Sequence, residues 1–118
     1  MKAILLISHG SRSKKTVEQV NETLNRLKLN GEEAIYKYAF LELESPSISE
    51  GIEECILAGA TEIVILLNFL NAGMHVDKDI PSIVLESQSK YPNIPMKITP
   101  PVGQHPNMIN LFLDLANE

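Results

Sequence analysis

The sequence predicts an α/β fold, a four-stranded parallel sheet with helices on both faces, made by a strand–helix unit repeated four times. Three observations lead there. Short, nearly continuous apolar runs recur along the chain, as strands buried on both faces require. Each run is followed by a stretch with apolar residues at helical spacing. The two patterns alternate from one end to the other, and that alternation implies crossover connections and a parallel sheet.

The elements follow in order. Lys2–Ser8 (KAILLIS) reads as a buried strand. Residues 13–28 carry Val17, Val20, Leu24 and Leu27 at helical spacing, with Gly31 as terminator. Residues 34–40 (AIYKYAF) form the second strand. Ser47 opens the second helix, and Glu50 three residues on completes a capping box. Its apolar stripe is Ile48, Ile52, Cys55 and Ile56, and Gly59 ends it. Residues 61–67 (TEIVILL) are the third and most apolar strand. A glycine-containing loop over 68–76 leads to a helix expected to be capped near Asp77 or Asp79, with Pro81 in its first turn and Ile80, Ile83 and Val84 toward the sheet. Residues 95–99 form the last strand, Pro100-Pro101-Val102-Gly103 turns the chain, and Pro106 opens a helix carrying Ile109, Phe112, Leu113 and Leu115.

A chain of 118 residues is expected to be one domain with a real core. At 44% hydrophobic and 21% charged it has an ordinary globular composition. The net charge of -5 argues against a nucleic-acid partner, which usually meets a basic stripe. No apolar run approaches the roughly 20 residues of a membrane span, and the start of the chain does not read as a signal peptide. The single cysteine, Cys55, has no intramolecular partner, which fits a reducing cytoplasm, and on its apolar stripe it reads as a packed thiol.

In parallel sheets of this kind ligands bind outside the carboxyl ends of the strands. The loops expected at that edge hold His9, in Ile7-Ser8-His9-Gly10-Ser11-Arg12, then Glu42, then His75, in Asn71-Ala72-Gly73-Met74-His75-Val76, then Gly103 to His105. Imidazole is both a ligand for divalent iron, cobalt and nickel and a base near neutral pH. Glu42 would complete a mixed nitrogen and oxygen site, with Glu44 as its alternative. His9-Gly10-Ser11-Arg12 resembles an anion-binding turn at a helix N-terminus, with Lys14 and Lys15 adding charge; a solvated basic first turn explains it equally well. His105 reads as a capping residue of the turn before the last helix. Neither a phosphate-binding nor a dinucleotide glycine fingerprint is present, so no nucleotide is expected, and the absence of Gly-x-Ser-x-Gly disfavours a serine hydrolase.

Several stretches together resemble one family, the sirohydrochlorin chelatases of the CbiX type. They are LLISHGSR at the start, AFLELESPSISEGIEECILAGATEIVILL, NAGMHVDKDIP with its Gly-x-His-x-x-x-Asp-Ile-Pro pattern, and PPVGQHPNMINLFLDLA at the end. The resemblance implies a class II, ATP-independent enzyme that inserts a divalent metal into sirohydrochlorin, a carboxylate-rich tetrapyrrole. Cobalt is the favoured metal, with iron or nickel as alternatives. A chain of this length resembles the short form, which implies a homodimer. Carried over, His9 and His75 match the family's catalytic and metal-binding histidines, and Glu42 matches its nearby carboxylate. Gly10, Ser11, Arg12, Asn71, Gly73 and Met74 would then line the substrate, with Lys14, Lys15 and Lys78 at the rim. The loop before His75 departs from the family pattern, reading Leu67-Asn68-Phe69-Leu70-Asn71 where proline and apolar residues are usual. Two other readings use the same residues: a non-catalytic metal or tetrapyrrole carrier, and an anion-binding flavodoxin-like module in which His75 is idle.

Overall fold

The computed structural model describes residues 1–118. Four parallel strands, β1 (Lys2–Ser8), β2 (Ile35–Phe40), β3 (Glu62–Leu67) and β4 (Met96–Pro101), lie in the order β2-β1-β3-β4. The helices are α1 (Lys14–Asn30), α2 (Ile48–Leu57), α3 (Ile80–Lys90) and α4 (Met108–Ala116).

Alternate side chains of each strand divide the core in two. Ala3, Leu5 and Ile7 of β1 join Ile63, Ile65 and Leu67 of β3 beneath Ile48, Ile52 and Cys55 of α2 and Ile80 and Val84 of α3. Leu6 and Phe40 point the other way, under Val20 and Leu24 of α1. Gly51 lets α2 sit close on the sheet, because a Cβ there would crowd Ala39 and Leu5. The cap foreseen on α2 is present in both halves: Ser47 Oγ accepts from the Glu50 N–H, and Glu50 Oε1 accepts from the Ser47 N–H at 2.9 Å. Burial among apolar neighbours pushes the Cys55 thiol up to about 11, so it packs as an inert thiol.

Three expectations need correction. The third helix starts directly after Asp79, within the expected bounds and with Pro81 in its first turn, but no aspartate side chain caps it. A π-helical turn over His75–Asp79 runs straight into α3, and neither aspartate makes a capping hydrogen bond. Pro81 has no N–H to give the preceding turn, and the backbone ladder widens just before it. The last strand runs to Pro101 rather than Thr99, which an edge strand tolerates. Finally, α4 covers neither face of the sheet. It packs mainly on the turn before it, and Ile109, Phe112, Leu113 and Leu115 are all more than half exposed. The α1 face is thereby left with one helix.

Candidate functional site

The chain leaves β1 toward the α1 face and leaves the adjacent β3 toward the α3 face. The two strands therefore flank the point where the sheet's winding reverses, which is where open α/β sheets form a crevice. His9 follows β1 and His75 opens the helix after β3.

Parallel pairing carries on past the strand ends and places Glu42. The Leu41 N–H donates to the Ser8 carbonyl (2.9 Å) and the Glu42 N–H to the His9 carbonyl (3.1 Å). Gly10 makes this approach possible, since its φ is +103° and a Cβ there would overlap the Glu42 carbonyl. Leu43 then turns the chain sharply at φ 68°, with the Glu44 N–H donating to the Glu42 carbonyl at 2.9 Å. That conformation is strained for leucine, and strain of this sort gathers at functional loops. On the other side, the Asn68 N–H donates to the Ile7 carbonyl (2.8 Å) and Asn68 Nδ2 to Ser8 Oγ (3.0 Å), tying the ends of β3 and β1 together under His9. Gly103, whose N–H reaches the Phe69 carbonyl at 3.0 Å, lies so near Leu70 that no side chain would fit.

The result is a compact set of potential ligands. Single ligand atoms of His9, Glu42 and His75 all lie within 4.8 Å of one another. His9 Nε2 is 3.1 Å from Glu42 Oε1, and the two imidazole rings meet edge to face at 5.2 Å. Two ligands held about 2.1 Å from one ion at a right angle lie about 3 Å apart, so the His9–Glu42 spacing suits a shared cation. His9 Nδ1 sits 3.3 Å from the Gly10 carbonyl, leaving Nε2 for the cleft. All three side chains are about half exposed, so the set opens to solvent and to a further ligand. Imidazole and carboxylate together suit borderline divalent ions. The same imidazoles, when neutral, can take up protons.

The remaining predicted residues divide. Ser11, Arg12, Asn71, Gly73 and Met74 all lie in the two loops that carry the histidines, and Arg12, Lys14 and Lys15 enter no ion pair. Gly10 proves to be a packing requirement of the site itself. Glu44 lies outside the ligand set, and one of its carboxylate oxygens is buried without a partner. The supposed anion-binding turn caps itself: Ser11 Oγ accepts from the Ser13 N–H and Ser13 Oγ from the Lys15 N–H. Asn68 is spent on Ser8. His105 caps its turn as foreseen, accepting from the Asn107 N–H at 3.1 Å. Asp79, which sequence places at a helix start and in the Gly-x-His-x-x-x-Asp-Ile-Pro pattern without a role toward His75, contacts that histidine, and their spacing of four residues is the signal for it. A cavity of about 530 Å³ lies elsewhere, on the α1 face among Leu6, Leu27, Leu66, Thr99, Pro101 and Pro106.

A parallel sheet with two imidazoles and a carboxylate at its reversal point defines an α/β domain equipped to hold a divalent cation. The chain belongs to the CbiX family, whose model matches residues 3–118. It is 34% identical over 118 residues to a sirohydrochlorin ferrochelatase of Priestia megaterium, covering all of this chain and 44% of that one. It is 30% identical over 118 residues to a sirohydrochlorin cobaltochelatase of Sulfolobus acidocaldarius, covering 92% of that protein. Among solved structures it resembles the sirohydrochlorin chelatase SirB from Bacillus subtilis subspecies spizizenii in complex with cobalt. The TM-score is 0.87 and the identity 30%, over 98% of this chain and 50% of that one. The chain thus spans about half the length of several relatives it matches and nearly all of others.

Proposed function

We propose that this chain is a sirohydrochlorin chelatase that inserts a divalent metal without a nucleotide and works as a homodimer. The observation that carries the reading is the convergence of His9, Glu42 and His75 within 4.8 Å at the sheet's reversal point. Insertion exchanges one divalent cation for two pyrrole N–H protons, with no change of oxidation state. His9 and His75 are the catalytic residues, holding the cation with Glu42 and accepting protons as it passes to the ring. The surroundings suit a flat apolar ring with a carboxylate edge. Leu43, Leu70 and Met74 are exposed around the site, and Arg12, Lys14, Lys15 and Lys78 are exposed cations that pair readily with carboxylates. Gly10, Ser11, Asn71 and Gly73 offer backbone and small polar groups to the same substrate.

Cobalt is the proposed physiological metal, because two relatives of nearly this chain's length are cobaltochelatases, while the longer relatives include both cobaltochelatases and ferrochelatases. A reducing cytoplasm fits the buried free thiol of Cys55. Two features support the homodimer: the unpartnered apolar helix α4, and the apolar groove on the α1 face beside its base. The test is to mix sirohydrochlorin with cobalt, ferrous iron or nickel and follow the absorbance change of insertion. Catalysed insertion, fastest with cobalt, is expected. Binding of the tetrapyrrole with no acceleration for any metal would instead assign the chain to carriage.

A further inference from the structure

We infer that Asp79 is a positioning residue that sets both the tautomer and the orientation of His75. This rests on the assignment of His75 to the metal-holding set. Asp79 Oδ2 lies 2.8 Å from His75 Nδ1, the shorter of the two histidine–carboxylate contacts in the molecule. A carboxylate only accepts hydrogen bonds, so the proton belongs on Nδ1 and the lone pair on Nε2. With Nδ1 committed, Nε2 is the atom left to face His9 and Glu42. A ring turned over about its Cβ–Cγ bond would present a carbon to Asp79 and lose the bond.

The two carboxylates near the histidines therefore do different work. Glu42 belongs to the group whose ligand atoms converge, and Asp79 does not. Asp79 stands behind His75, in the relation an outer carboxylate bears to a metal-bound imidazole. Nor is it engaged elsewhere, since it makes no capping bond to α3. The π-helical turn over His75–Asp79 contains both partners, so one short unit of backbone carries the imidazole together with its support. Such turns are rare and occur often at functional sites.

The experiment uses the intact metal-free protein labelled with ¹⁵N-histidine, held well above the ordinary histidine pKa so that the rings are neutral. Imidazole nitrogen shifts report the tautomer, and His75→Ala assigns the His75 signals. Calorimetry with cobalt alone gives affinity. Wild type should show His75 protonated at Nδ1. In Asp79→Ala the proton should shift toward Nε2, and cobalt affinity should fall about 10- to 100-fold, the usual effect of losing an outer partner. Asp79→Glu should recover part of both. A wild-type tautomer, or unchanged cobalt affinity, in Asp79→Ala would overturn the inference. If His75→Ala itself binds cobalt as wild type does, the assignment of His75 fails instead, and the two failures are told apart. Asp79 is about half exposed, so its variants should fold, and an unchanged melting curve beside altered tautomer and affinity separates positioning from a structural role.

Discussion

His9 and His75 illustrate how far single residues could be read from sequence. Their placement followed from strand runs and the rule for parallel sheets, without any contact information. Glu42 was a choice between two carboxylates, and what decided it lies in no local pattern: the His9 carbonyl takes the Glu42 N–H and leaves Glu44 to the far side of a tight turn. Gly10 was read as a substrate contact, yet its first duty is steric, because a glycine's need for space depends on which backbone comes to rest beside it. Two outcomes follow. His75→Ala should leave the unfolding free energy within about 0.5 kcal/mol of wild type, as expected for a half-exposed side chain outside the core. The same change should weaken cobalt binding by more than the roughly 10- to 100-fold typical of an outer partner; urea titration and calorimetry measure the two quantities. Gly10→Ala should do the reverse of a clean ligand deletion. It forces a side chain into a positive-φ conformation against the Glu42 loop, so stability should fall by at least about 1–2 kcal/mol, with metal affinity falling alongside. Wild-type values of both would remove Gly10 from the construction of the site.

At the level of elements, strands and helices emerged where local signals agreed with tertiary demand. Ser47 and Glu50 are the best case, since a capping box is written within four residues and needs nothing distant to form. The start of α3 is the opposite case. Two aspartates and a proline imitate an N-terminus, but the helix has already begun at the π-helical turn, recruited by the loop that presents His75. The Ser47 cap carries a measurable consequence. Hydrogen bonds from the Ser47 N–H, then from its side chain, hold the Glu50 carboxyl below the usual carboxylate range. A lowered folded value means that the cap's contribution is complete above the unfolded pKa and is lost as pH falls through the folded one. Ser47→Ala should cost about 1 kcal/mol at neutral pH, and Glu50→Gln should flatten the loss of stability on acidification. Parallel acid-unfolding curves for wild type and Glu50→Gln would refute this account.

Across the whole molecule, the helix whose packing its apolar pattern does not foretell is α4. Its apolar residues look like those of a helix that covers a sheet, and periodicity cannot say whose sheet. The shape of the chain records the difference. Its radius of gyration is 14.5 Å and its longest extent 48 Å, against about 13.5 Å expected for a compact chain of this length. A helix exposing Ile109, Leu111, Phe112, Leu113 and Leu115, next to an apolar groove it does not fill, offers the kind of surface that the proposed homodimer would bury. Sedimentation should therefore find dimers at micromolar concentration, and Phe112→Glu should yield monomers that keep their secondary structure. A wild-type protein that sediments as a monomer would contradict the proposed assembly.

The spread of the three ligand atoms bears on turnover. Ligands opposed across an ion at about 2.1 Å stand about 4.2 Å apart, whereas His9, Glu42 and His75 span up to 4.8 Å and are half exposed. An ion must draw the side chains inward to be gripped by all three, and the work of that contraction is subtracted from its affinity. A looser grip shortens residence. Under the proposed activity, in which the cation is relinquished to a ring, a shallow resting place is an advantage, because a deep one would end the cycle with the metal still in the protein.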